Sequence, residues 1–98
     1  MPLLYEIEDD TAQVQIDGEL TIYTAADLAA QLLPRLGATP AMALDLSQIT
    51  EMDGAGLQLL LMIQREAPKA STQLTVTDQS KAVTETLALC NLVALGQP

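Results

Sequence analysis

Ninety-eight residues suffice for one small domain, because a second core would leave each half unable to bury its apolar surface. Hydrophobic residues make up 49% of the chain and aromatic ones only 2%, so the core must be aliphatic, and base-stacking platforms or aromatic ligand cages do not fit. The formal charge of −9 is lopsided: residues 1–53 hold ten acids against Arg35 alone, while residues 54–98 hold three acids against three bases. Such a surface keeps a small protein soluble and repels both nucleic acid and anionic lipid headgroups, so neither is an expected partner.

Residues 3–8 alternate loosely, and Asp9-Asp10 marks a turn. Ala12, Val14 and Ile16 then alternate with Gln13, Gln15 and Asp17, the period of a half-buried strand that should pair antiparallel with the first. Asp17-Gly18 interrupts the pattern as a bulge or bend would, and Leu20 and Ile22 resume it. Thr24 with Asp27 three residues on reads as a helix start, with Leu28, Gln31, Leu32 and Leu36 at helical spacing. Pro34 should end or bend that helix near Leu33.

The apolar run at residues 41–46 is short enough for a buried strand. Asp53-Gly54-Ala55-Gly56 precedes a second helix expected over residues 55–67 and stopped by Pro68. At 100° per residue, Leu57, Leu60, Ile63, Gln64 and Ala67 share the face that should pack on the sheet. Gln58, Met62, Arg65 and Glu66 take the opposite arc, where an exposed methionine beside Leu59 and Leu61 would make an adaptable contact surface. Residues 73–77 read as a strand, and Asp78 or Ser80 caps a third helix reaching about Cys90. The expected order is therefore β-β-α-β-α-β-α in one α/β domain over residues 1–98: a mixed four-stranded sheet, antiparallel first and then parallel, covered by helices.

Chemistry is sparse. There is no histidine, no Walker-type phosphate loop and no metal-ligand cluster, so catalysis, a cofactor and a metal site are all unexpected. Asp45 and Asp53 lie eight apart across a loop, which does not indicate paired acid–base work, and the acidic pair and lysine of a phospho-receiver are lacking. Cys90, the only cysteine, sits in apolar Leu87-Ala88-Leu89-Cys90 and reads as a core thiol. Met1-Pro2 leads straight into a strand-like segment without a basic-then-apolar leader, and the apolar run at residues 59–63 is too short to span a bilayer. A cytoplasmic location is expected.

Asp45-Leu46-Ser47-Gln48-Ile49-Thr50-Glu51-Met52-Asp53-Gly54-Ala55-Gly56-Leu57 resembles the signature of STAS domains, in which Asp-Leu-Ser and apolar residues precede Asp-Ser-(Ser/Ala/Gly)-Gly-Leu. Gly18-Glu19-Leu20-Thr21 and Leu87-Ala88-Leu89-Cys90-Asn91-Leu92 extend the likeness to nearly the whole chain. The resemblance implies a non-catalytic signalling module of the anti-sigma-factor antagonist type, acting in bacterial signal transduction and transcription regulation. It also implies a switch-kinase partner that phosphorylates the serine after the motif aspartate. Here that phospho-acceptor position is Gly54, which has no hydroxyl, so the domain would stay in its binding form or be regulated through its partner. Ser47 and Thr50 are the nearby hydroxyls, and Ser47 suits a bond to local backbone.

In this fold Thr24 would lie near Asp53, so the implied contact patch comprises Tyr23, Thr24, Asp53, Gly54, Ala55 and Gly56, continued along the helix by Gln58, Met62 and Arg65. The bare alternative for residues 53–56 is a capped strand-to-helix turn, in which the glycines permit close approach. Leu20-Thr21-Ile22-Tyr23-Thr24-Ala25-Ala26-Asp27-Leu28 also looks like STAS proteins found alongside chemotaxis kinases. The alternative resemblance is to the cytoplasmic STAS subunit of a phospholipid-transport ABC complex, which binds the transporter ATPase. Leu59-Leu60-Leu61-Met62-Ile63 and Cys90-Asn91-Leu92 are similar to that branch, although it tends to keep a hydroxyl where Gly54 stands.

Overall fold

The computed structural model describes residues 3–89. The first hairpin joins β1 (Leu3–Glu8) antiparallel to β2 (Thr11–Ile16), with Ile7 opposite Ala12 and Leu3 opposite Ile16. Its two-residue turn places Asp9 and Asp10 at φ 51° and 64°, the doubly left-handed turn whose twist matches a hairpin and which aspartate tolerates. β4 (Ala41–Leu46) lies parallel to β2, and β6 (Gln73–Gln79) lies parallel to β4, so the sheet order is β1-β2-β4-β6. The expected mixed four-stranded sheet is present.

Two short strands are additions to the expected order. β3 (Gly18–Leu20) and β5 (Ile49–Met52) pair parallel as a separate ribbon. Gly18, at φ +86°, swings the chain out of the main sheet after Ile16 and donates its N–H to the Gln48 carbonyl at 3.0 Å. Ile22 does not continue the strand alternation: the Thr21 carbonyl accepts from the Thr24 and Ala25 amides, which turns the chain into a helix immediately after Leu20. β5 has one buried residue, Ile49, between polar neighbours, too little pattern to distinguish it from a loop.

Helix α1 (Ala25–Leu32) passes into a 3-10 turn over Leu33–Arg35, so Pro34 ends the α-helix where its missing N–H requires. Helix α2 (Gly54–Lys69) starts one residue earlier and ends two later than expected, with Pro68 inside its last turn. The Ala70 amide closes that end on the Glu66 and Ala67 carbonyls, so the proline costs little so near the terminus. Helix α3 (Lys81–Leu89) is capped by Ser80, whose Oγ accepts from the Val83 amide at 3.3 Å. Cys90, read as a core thiol, lies outside the described residues.

Ala12, Val14 and Ile16 of β2 and Met42, Leu44 and Leu46 of β4 point to one face of the sheet and meet Leu28 and Leu32 of α1 with Leu57, Leu60 and Ile63 of α2 in one aliphatic core. Leu59 is buried as well and Met62 is half-buried, so the expected exposed surface beside a free methionine is narrower than its helical spacing suggests. α1 packs beside α2, and α3 covers the β3–β5 ribbon through β5. Residues on the other face, such as Glu6, Gln13 and Thr75, are exposed.

Candidate docking site

The β3–β5 ribbon delivers two chain segments to one corner of the molecule. β3 ends at Leu20 and β5 at Met52, and these two residues are register partners, so the loop before α1 and the start of α2 emerge side by side. Asp53 ties them together. Its backbone N–H donates to the Leu20 carbonyl at 3.4 Å, Oδ1 accepts from the Gly56 amide at 3.0 Å, and Oδ2 accepts from the Ile22 amide at 3.0 Å. One carboxylate therefore caps α2 and fastens the loop of α1. The Ile22 N–H and then the Gly56 N–H hold the Asp53 pKa below its ordinary value, because they bond to the charged form.

The two glycines of the motif have opposite surroundings. Gly56 is buried, and a Cβ there would collide with the Leu20 carbonyl oxygen and reach 2.9 Å from Leu20 Cγ. It is what lets α2 sit against the backbone of β3. Gly54 is exposed, and a Cβ there meets nothing within 4 Å. Gly54 is thus the open first position of α2, and Gly56 lies beneath it as a packing residue.

The loop over residues 21–24 is held from within. Thr21 is buried, and its hydroxyl donates to Glu19 Oε1 at 2.7 Å while accepting from the Tyr23 amide at 3.3 Å. Thr24 does not cap α1 forward as the capping pattern suggested. Its hydroxyl reaches back, donating to the Glu19 carbonyl at 2.9 Å and accepting from the Thr21 amide at 3.1 Å, because its backbone already has helical ψ. Asp27 accepts instead from Gln31 one turn on, at 3.0 Å. This knot leaves Ile22 69% and Tyr23 88% exposed.

Tyr23, Thr24, Asp53, Gly54 and Ala55 therefore meet at one corner. Gln58 lies one turn along the exposed side of α2. Met62 and Arg65 sit about 12–17 Å further along the helix than Gly54, at 1.5 Å per residue, where they line an open groove of about 560 Å³ with Leu33, Leu36, Glu66 and Lys69. Arg65 and Lys69 both pair with Glu66 at 3.3 Å. The sequence reading missed Ile22, which it assigned inward by alternation with Leu20; the turn made by Thr21 reverses that. Among the described residues no group of His, Cys, Asp and Glu is placed to hold a metal ion, and no helix is long and apolar enough to cross a membrane.

A mixed sheet with helices on one face, a satellite parallel ribbon and a capped aspartate–glycine corner together make an α/β domain with one open corner. Solved structures share the fold. A crystal structure of an anti-sigma factor antagonist from Mycobacterium paratuberculosis superposes with a TM-score of 0.78 at 23% identity, covering 91% of this chain and 76% of that one. SpoIIAA, an anti-sigma factor antagonist in its unphosphorylated form, gives a TM-score of 0.74 at 18% identity over 92% and 81%. Mglu gives a TM-score of 0.70 at 18% identity over 80% of this chain, which spans only 20% of that much longer protein. The family model described as "Mlab, STAS domain" matches residues 3–96. The chain belongs to the STAS domain family.

Proposed function

We propose that this chain is a non-catalytic regulatory binding module of the anti-sigma-factor antagonist type, working in the bacterial cytoplasm. It docks on a kinase-like or sensor protein through the corner where α2 begins. The observation that carries this reading is the exposed, unobstructed Gly54 beside the exposed Tyr23, on two segments that Asp53 joins through the Ile22 and Gly56 amides. A corner pre-ordered by hydrogen bonds loses little conformational freedom on association. The absent side chain at Gly54 lets a partner approach the backbone closely.

The same glycine bears on regulation. SpoIIAA has solved structures in unphosphorylated and phosphorylated forms. A phosphate at the start of α2 would add roughly −1.5 to −2 charges at the contact. Gly54 has no hydroxyl to accept one, so this domain either stays in its binding form or is regulated through its partner. Ser47 is no substitute, because it lies in the β4–β5 turn at the opposite end of β5 from the start of α2, where a phosphate would stand away from the docking corner.

A tagged pull-down from native cells tests the reading. Recovery of a switch kinase or chemotaxis kinase is the expected result. Recovery of a transporter ATPase would transfer the same corner to a phospholipid-transport ABC complex, and recovery of nothing at physiological salt would contradict both.

A further inference from the structure

Ile22 and Tyr23 are exposed side by side among acids, whereas the other large apolar side chains exposed among the described residues, Leu4, Ile7 and Leu89, lie on β1 and at the end of α3. Glu19 and Glu51 are register partners on the β3–β5 ribbon, an arrangement in which like charges face one another and weaken the pairing. Asp53 adjoins them through the Ile22 amide, and Asp27 lies in the first turn of α1 just beyond Tyr23. Among the described residues no lysine or arginine pairs with these acids. Arg35 lies over the Tyr5 ring, Arg65 and Lys69 pair with Glu66, and Lys81 pairs with Glu85. The sequence contains only these four lysine and arginine residues.

We infer that Ile22 and Tyr23 form an apolar knuckle that inserts into a socket on a protein partner, and that the rim of that socket is basic. The inference rests on the docking reading above and adds the chemistry of the partner. Burying two large exposed side chains supplies affinity, while the acids around them steer a cationic rim into register. An anionic membrane is the opposite of this complement, since Glu19, Glu51, Asp27 and Asp53 would all be driven toward its headgroups.

The test uses a short amphipathic Leu/Lys helical peptide as probe, with a matched Leu/Glu peptide and phosphatidylglycerol vesicles in parallel. With the intact isotope-labelled chain, Leu/Lys binding should move amide resonances of residues 19–24 and 51–54. Ile22→Ser and Tyr23→Ser should each weaken it roughly tenfold. Glu19→Gln with Glu51→Gln should reduce its salt dependence. Shifts scattered over the whole acidic surface, unchanged affinity of the two serine variants, or equal binding of the Leu/Glu peptide or the vesicles would overturn the inference. Both serine substitutions lie at exposed positions, and unchanged resonances elsewhere report an intact fold.

The pull-down distinguishes this inference from the reading beneath it. If Gly54→Gln releases the recovered partner and the serine variants do not, the corner stands and the knuckle falls. If none of the three releases it, both fall.

Discussion

Asp53 bridges the start of α2 and the loop before α1, and its chemistry sets a pH dependence. Its pKa in the folded chain is below the ordinary 3.8, so in the acid range between the two values the unfolded chain binds more protons. Its contribution to stability is therefore present above the ordinary value and is lost as pH falls through the folded one. Asp53→Asn should flatten that part of the acid limb. It should also speed hydrogen exchange at the Ile22 or Gly56 amide severalfold near neutral pH, because an amide offers one acceptor oxygen where the carboxylate offers two. Equal exchange in both proteins would show that the carboxylate does not hold the loop.

The aspartate and both glycines were legible in the sequence, because an N-cap followed by small residues has few other meanings. The different duties of Gly54 and Gly56 were not, since they depend on where the Leu20 carbonyl lies, 36 residues away in the chain. Ile22 was misread for a related reason. Its orientation is decided by the side chains of Thr21 and Thr24, whose bonds to Glu19 leave no trace in the apolar period.

At the scale of elements, α2 is seated by that one glycine. Gly56→Ala forces the helix away from β3 and should cost about 2–3 kcal/mol, as over-packing does. Gly54→Ala, in open space at the first helical position, should be neutral or stabilise by about 0.4–1 kcal/mol through the unfolded chain. Urea denaturation midpoints of the two variants check this, and equal midpoints would mean that α2 does not rest on β3 as described. The main sheet and all three helices could be read from period and punctuation: alternation in β2, the short apolar run of β4, Pro34 and the Asp53 cap. The β3–β5 ribbon could not. Its strands have three and four residues, and each has one buried apolar residue, below what periodicity can resolve.

Across the whole molecule, charge and shape have the same polarity. The acid-rich first half of the chain supplies β3, β5 and the 21–24 loop, whereas Arg65 and Lys69 stand near the far end of α2 beside the groove lined by Leu33 and Leu36. Composition alone argues only against nucleic acid and anionic membranes, and a protein partner is what the STAS resemblance implies. It could not say which face is used, because that depends on two segments brought together by a ribbon the sequence conceals. The claim that this face is the start of α2 is tested most directly by titrating the partner recovered from cells with the wild-type chain and with Gly54→Gln, whose side chain blocks close approach without changing the charge. An affinity at least tenfold weaker, with an unchanged melting temperature, is the expected result; equal affinity in a folded variant would contradict it.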